Sequence, residues 1–423
     1  MSKLCKIMSI ATLITLLTGC GAGTQSTEAP TESALPTPSA TAPATAAPVT
    51  YSPLASAVLS QFENDGLSEY LVNEGNAYKI ATLMEKAKSG GEYTICAFGG
   101  SISQGYGASN QECSYGYLVY KWWVESFPNA SFKYVNAGLG GTNPEMALYR
   151  YNRDVKAYKP DFTVIDFAVN TFLDNNLSLT YSTLLNKLLS DGSAVMGIYF
   201  SRTVQASYKQ GKYEPDLTIP EAPIADSLRN YSIPTINYHK YLWSKLDAKK
   251  AAWSDFGADW IHPNDAGHKL ASMQICNFLE GIKGDTAAVI EKGEGKIPKL
   301  SNTKYENTDS LCNSSEGITL DGAFEKGDGL QSATRGWSIQ GGSGTLKAVI
   351  PENAKKVCLL IHPISFSGSI DFVDNSGSVL QNVDTSNMIS ANLVTVNDLG
   401  DTVSLKINCE KGSVRVYYIG YTY

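Results

Sequence analysis

What the chain lacks narrows its chemistry first. It has four histidines in 423 residues, His239, His262, His268 and His362, so a reaction that needs an imidazole has four places to find one. No cluster of Lys and Arg is present, and the net charge is −7, which argues against nucleic acid as a partner. The segment Gly100 to Gly105 has the glycine spacing of a P-loop. It then runs into Tyr106-Gly107 where that loop needs Lys and a hydroxyl, and no G-x-G-x-x-G occurs, so a nucleotide phosphate has no cradle. The eight cysteines form no C-x-x-C pair and show no metal spacing, so neither a metal nor an organic cofactor is implied. Cys96, Cys358 and Cys409 fall in apolar runs, where a thiol is ordinarily a small core residue. There is no internal repeat.

The first twenty residues, "MSKLCKIMSIATLITLLTGC", run from basic to apolar to small. The apolar stretch Ile7 to Leu17 is too short to cross a bilayer, and the order matches an export signal. Leu17-Thr18-Gly19-Cys20 resembles a bacterial lipobox. That resemblance implies cleavage before Cys20, lipidation of its thiol and a membrane anchor on the outer side; the alternative is a plain secretory signal. Residues 21–50 are almost wholly Thr, Ala, Pro, Ser and Gly, too poor in apolar groups to offset ordering, and are expected to be a disordered tether.

With 43% apolar and 18% charged residues, the remainder has the composition of a globular protein. Over 51–284, strand-like runs ("YTICAF", "FKYVNA", "FTVIDFAV", "AVMGIYF", "PTIN") alternate with amphipathic helical stretches. Such alternation predicts a parallel sheet covered on both faces, with the site at the carboxyl ends of its strands. Residues 285–300 read as a linker. In 301–423 no helical period appears, and short runs separated by Gly, Ser, Asn and Asp turns predict a jelly-roll-like β-sandwich.

Ser101 follows two glycines at the end of the first long strand, where a hydroxyl can be presented above a sheet. His262 stands three residues after Asp259 in "ADWIHPNDAGHKLA", so both can close on one loop and share a hydrogen bond that fixes the imidazole tautomer. His268 falls inside the following helix and reads as packing. Ser103 and the Trp122-Trp123 pair read as structural. Tyr106 and Trp260 flank the candidate machinery, where stacking on a sugar ring and simple packing are equal readings.

At this point the chain resembles the SGNH (GDSL-type) hydrolase superfamily. "AFGGSISQG" matches the first block, "VNAGLGGTNP" the second, "VIDFAVNTFLD" the third and "DWIHPNDAGH" the last, in the family's order. The resemblance implies a flavodoxin-like three-layer α/β/α domain in which Ser101 is nucleophile, His262 base and Asp259 its partner. It implies an oxyanion hole formed by Ser101, Gly141 and Asn170, although Gly138 or Gly140 would serve if the turn were shifted. Two departures stand out: Gly100 replaces the family's Asp before the serine, and Thr171 follows Asn170 where Asp is usual, a place Asp174 could fill.

Similar members with "GGSI" blocks remove O-acetyl groups from plant polysaccharides such as xylan or mannan. The expected activity is therefore an extracytoplasmic esterase acting on an acetylated polysaccharide. The alternatives are a lipase or lysophospholipase, a deacetylase of the cell's own wall, and a glycan-binding lipoprotein with an idle hydrolase fold. For the C-terminal domain, a carbohydrate-binding module competes with an accessory sandwich that packs on the catalytic domain and shapes its cleft. The lack of an evident row of exposed aromatics favours the second.

Overall fold

The computed structural model describes residues 49–62, 66, 70–174, 176–200, 221–294, 307–327, 335–388, 390–397 and 400–423. The expected signal peptide 1–20 with Cys20, and all but the end of the expected tether, lie outside the described residues.

The predicted apolar runs become β2 (Gly91–Gly99), β3 (Ala130–Gly138), β4 (Phe162–Asp166), β5 (Ala194–Tyr199) and β6 (Thr235–Asn237), mutually parallel. The sheet also has an edge strand that the sequence reading missed. β1 (Leu71–Asn73) pairs antiparallel with β6, giving the order β1-β6-β5-β4-β2-β3. Three residues are too few to leave a periodic signature. All five residues of β4 and all six of β5 are buried, as expected of strands covered on both faces.

Alternation along the strands feeds two cores. Ile95, Phe162, Val164, Met196 and Ile198 face one side, against α2 (Tyr78–Lys88), α4 (Tyr115–Ser126) and α10 (Asp265–Gly284). Cys96, Phe98, Ile165 and Val195 face the other, against α5 (Pro144–Asp154), α6 (Leu177–Ser190) and α7 (Glu221–Asn230). Helices thus cover both faces, the three-layer arrangement expected. Trp123 is fully buried in the first core, as its reading as packing required; burying a side chain of that size contributes about 2–3 kcal/mol.

Strand register brings the sequence blocks together. Gly99 is level with Gly138 on one side and Asp166 on the other, so β2, β3 and β4 end on one line. The first three blocks leave the sheet from that line.

After α10 comes α11 (Thr286–Gly293), which occupies the first part of the segment read as a linker and is tied to α2 by Lys88 Nζ and Thr286 Oγ1, 3.0 Å apart. The C-terminal region is an antiparallel sheet of seven strands: β7 (Thr308–Leu311), β8 (Ile318–Lys326), β9 (Trp337–Val349), β10 (Lys356–Val373), β11 (Val379–Asn382), β12 (Asn392–Thr395) and β13 (Thr402–Thr422). Two of these strands join runs that look separate in sequence. "KVCLLIH" and "SIDFVD" are halves of β10, and "TVSLKIN" and "SVRVYYIGYTY" are halves of β13. The intervening Gly368 (φ 139°) and Gly412 (φ 76°) lie at register shifts and bend the strands without ending them.

This region packs on α5. Leu139, Met146 and Tyr149 share an apolar cluster with Cys358, Leu360, Ala391, Tyr417 and Tyr418. Hydrogen bonds run from Tyr418 Oη to the Met146 carbonyl (2.6 Å) and from Thr308 Oγ1 to the Leu148 carbonyl (3.0 Å).

Candidate active site

The glycines after β2 make room. A Cβ at Gly99 would lie 2.1 Å from the Asp166 carbonyl oxygen and 2.2 Å from Ser103 Oγ, and one at Gly138 would lie 2.1 Å from the Gln104 nitrogen. Only glycine lets the chain turn this tightly against the ends of β3 and β4. The short helix α3 (Ser101–Gln104) follows at once, with Ser101 as its first residue.

Ser101 Oγ is 2.9 Å from His262 Nε2, and His262 Nδ1 is 2.7 Å from Asp259 Oδ2. The other carboxylate oxygen, Oδ1, accepts the backbone N–H groups of Ile261 (2.7 Å) and His262 (2.8 Å). Burial alone would raise the Asp259 pKa. The His262 and Ile261 N–H groups and the imidazole outweigh it and hold the carboxyl below its ordinary range. An ionised carboxylate can only accept, so Nδ1 carries the proton and Nε2 is left to accept from the serine hydroxyl. The loop is closed by Ala258 N–H on the His262 carbonyl (2.8 Å) and by Trp253 Nε1 on the Asp259 carbonyl (2.5 Å). It ends where Asn264 caps α10 through the Gly267 N–H, 3.1 Å away.

The second block forms a turn from Leu139 to Thr142, stopped by Asn143, which caps α5 through the Met146 N–H (2.9 Å), and by Pro144. Three glycines compete here on sequence, and hydrogen bonding separates them. The Gly138 N–H is held by Asn136 Oδ1 (2.9 Å) and the Gly140 N–H by Gln104 Oε1 (2.8 Å). Gly141, at φ 73°, has no hydrogen-bond partner for its N–H among the described residues, and neither has Ser101. Asn170 lies in the irregular turn after β4; its Nδ2 donates to the Thr142 carbonyl (3.2 Å), which leaves its second N–H, and stands 3.0 Å from where a Gly100 Cβ would be. A side chain at Gly100 would crowd that amide.

Asp174 does not take the place of an aspartate beside Asn170. Its carboxylate accepts the N–H groups of Glu145 (3.2 Å) and Asn176 (2.8 Å) and the Thr180 hydroxyl (2.5 Å), joining α5 to the start of α6. His268 is structural, as read from sequence. Its Nδ1 accepts the Tyr115 N–H and its Nε2 faces the Tyr106 carbonyl, both at 3.2 Å, and burial pushes its pKa down to about 4. Ser103 bonds Tyr115 Oη at 2.7 Å. The Tyr106 ring lies 4.3 Å from the His262 ring, and Tyr106 and Trp260 are 59% and 48% exposed, so neither is core.

Two residues escaped the sequence reading. Gln104 braces the second-block turn through Gly140, although it stands inside the quoted first block. Arg150 is fully buried and touches the ends of β2 and β3. On an amphipathic helix an arginine reads as surface; α5 is buried almost all round because the C-terminal sheet covers its outer side. Among the described residues no group of three His, Cys, Asp or Glu side chains could hold a metal ion.

Fold and site together define a class. Residues 97–270 match the GDSL-like lipase/acylhydrolase family, so that stretch is a GDSL-like domain, that of a carboxylic ester hydrolase. Over both domains it is similar to a two-domain esterase (CEX) active on acetylated mannans, solved alone (TM-score 0.64) and co-crystallised with mannopentaose (0.63). Each match has 22% identity and covers 84% of this chain and 98% of that one, a likeness of fold. An acetylxylan esterase from Geobacillus stearothermophilus is 16% identical, with a TM-score of 0.35 over 45% of this chain and 96% of its own. No curated protein matches the chain.

Proposed function

We propose that the protein removes O-acyl groups, foremost O-acetyl, from a polysaccharide outside the cytoplasm by a Ser-His-Asp mechanism. The observation that carries it is the continuous hydrogen-bonded path from Ser101 Oγ through His262 to Asp259. His262 Nε2 takes the hydroxyl proton as Ser101 Oγ attacks the ester carbonyl, and Asp259 stabilises the imidazolium. The tetrahedral oxyanion accepts from the N–H groups of Ser101 and Gly141 and from the Asn170 amide. The imidazolium then gives its proton to the departing sugar hydroxyl. Water, deprotonated by the same nitrogen, attacks the acyl-serine and releases the acid.

The likeness over both domains to an esterase active on acetylated mannans supports a polysaccharide as substrate, as do two half-exposed aromatic residues beside the catalytic loop. The basic–apolar–small start ending in Cys20, followed by a Thr/Ala/Pro/Ser-rich stretch, supports a lipid-anchored protein on the outer face of the membrane.

Acetate release from acetylated mannan, acetylated xylan and peptidoglycan, beside fatty-acid release from a phospholipid, tests the reading. Acetate from a plant polymer is expected, with Ser101→Ala losing roughly six orders of magnitude in rate while remaining folded. Fatty acid without acetate would make the protein a lipase, and binding without turnover would make it an idle fold.

A further inference from the structure

Arg150 has no solvent exposure, and its guanidinium fork spans three pieces of the site. Nη1 donates to the Ala137 carbonyl at the end of β3 (2.7 Å). Nη2 donates to the Gly99 carbonyl at the end of β2 (2.9 Å) and faces Thr142 Oγ1 (3.3 Å). Gly99 is two residues before Ser101, Thr142 is next to Gly141, and the Thr142 carbonyl receives the Asn170 amide (3.2 Å). One cation therefore binds the backbone two residues before Ser101 and the side chain of Thr142, which is next to Gly141 and whose carbonyl holds the Asn170 amide.

The same guanidinium is linked to the C-terminal domain. Asp154 Oδ2 lies 3.4 Å from Arg150 Nη1, and the Asp154 carboxylate is also held by Arg153 through Nε (2.6 Å) and Nη2 (2.9 Å). Arg153 Nη1 donates to the Tyr417 carbonyl in β13 (3.2 Å). Arg335, just before β9, donates to the Arg153 carbonyl (2.9 Å) and to Tyr158 Oη (3.1 Å), with Nη1 3.7 Å from Asp154 Oδ1. Burying charges is costly, and an apolar side chain would fill the space beneath α5 at less expense in stability. What an apolar side chain could not do is hold three acceptors at once, and a lysine ammonium lacks the fork as well.

We infer that Arg150 is a positioning residue for the oxyanion turn, and that the C-terminal domain tunes that turn through Arg335, Arg153 and Asp154. The domain is then a working part of the site beyond any contact it makes with substrate. The inference rests on the reading of Ser101, Gly141 and Asn170 as oxyanion donors, and the experiment separates the two.

The full chain and its variants Arg150→Lys, Thr142→Val, Arg335→Met and Asn170→Ala are assayed for kcat and KM on p-nitrophenyl acetate, with thermal unfolding measured in parallel. Arg150→Lys is expected to lower kcat about 100-fold, with KM within about threefold of wild type, since the donors it aligns act in the transition state. Thr142→Val is expected to cost about tenfold in kcat and Arg335→Met about three- to tenfold, the latter largely lost when Arg150→Lys is already present, as coupled residues behave. Wild-type kcat in a folded Arg150→Lys overturns the inference, as does full additivity of Arg335→Met with it. If Arg150→Lys does not fold, Thr142→Val decides, and wild-type kcat there overturns it. If Asn170→Ala keeps full kcat, the oxyanion reading itself falls; if it loses rate while Arg150→Lys and Thr142→Val do not, only the positioning role falls.

Discussion

The loop that carries Asp259 and His262 and the turn that carries Gly141 both meet Ser101, and they are held in different ways. The loop is largely self-contained. Its carboxylate binds the N–H groups two and three residues on, its ends meet in a bridge between Gly257 and Pro263, and the next helix is capped by its own Asn264. The turn borrows its support. Gln104 comes from the first block, Arg150 from the following helix, and Ser390 and Ala391 from the C-terminal domain lie 3.2 Å from where a Gly141 Cβ would be. An acid–base pair can be built from one short segment, whereas an array of donors around an oxygen needs several segments brought to one line. The loop should therefore break at its own residues, and the turn should yield to changes far from it in sequence.

The largest effect tests the loop from within. Asp259→Asn keeps the size of the side chain but offers the imidazole an amide in place of a carboxylate. The wrong tautomer is favoured and the imidazolium loses its counter-charge, so kcat on an acetyl ester should fall by about 10⁴. A loss below tenfold in the folded variant would mean that the Asp259–His262 bond only shapes the loop. Asn170→Ala comes next. It removes one proposed oxyanion donor without touching the serine–imidazole pair, and kcat should fall by about 10²–10³, some 3–4 kcal/mol of barrier, with KM nearly unchanged. If KM rises by as much as kcat falls, Asn170 binds the ground state and the comparison loses one of its sides. Gln104→Leu is smaller again. It leaves Ser101 and His262 in place but frees the Gly140 N–H, and about tenfold in kcat is expected for a turn that has lost one brace. Wild-type kcat in that variant would show a turn as self-sufficient as the loop.

The same contrast explains what could be read from sequence. Asp259 and His262 are three residues apart, and a spacing that closes on itself is visible in one line of text. The parallel strands were legible because apolar runs covered on both faces leave continuous signals, and the resemblance in four blocks marked Gly141 and Asn170. Which of three neighbouring glycines leaves its N–H unpaired was not legible. That depends on Gln104 and Asn136 reaching across from other elements. Arg150 was invisible for a related reason: nothing in "PEMALYRYNRDVKAY" says that a second domain will cover the outer side of its helix. The halves of β10 and β13 looked like separate strands because a glycine at positive φ marks a bend and a turn alike.

The smallest effect on rate contrasts His262 with its neighbour six residues on. His268 is buried between the Tyr115 N–H and the Tyr106 carbonyl, and burial lowers its pKa to about 4. An unfolded histidine titrates near about 6.5, so between those values the unfolded chain binds a proton that the folded chain refuses. Stability from this group is complete above about pH 6.5 and is lost as pH falls towards 4, on the order of 3 kcal/mol in all. His239, pushed down to about 3 by burial, acts in the same direction over a window that starts at the same upper limit. His268→Gln keeps an amide donor for the Tyr106 carbonyl and removes the titration. Its kcat at pH 8 should stay within about threefold of wild type, since the residue touches neither Ser101 nor Asp259. The fall in melting temperature between pH 7.5 and 5 should become shallower, the shares of His239 and of His362, also lowered by burial, remaining. An unchanged slope would mean that His268 is not held neutral, and a kcat loss near that of Asp259→Asn would mean that the loop, like the turn, depends on support from outside itself.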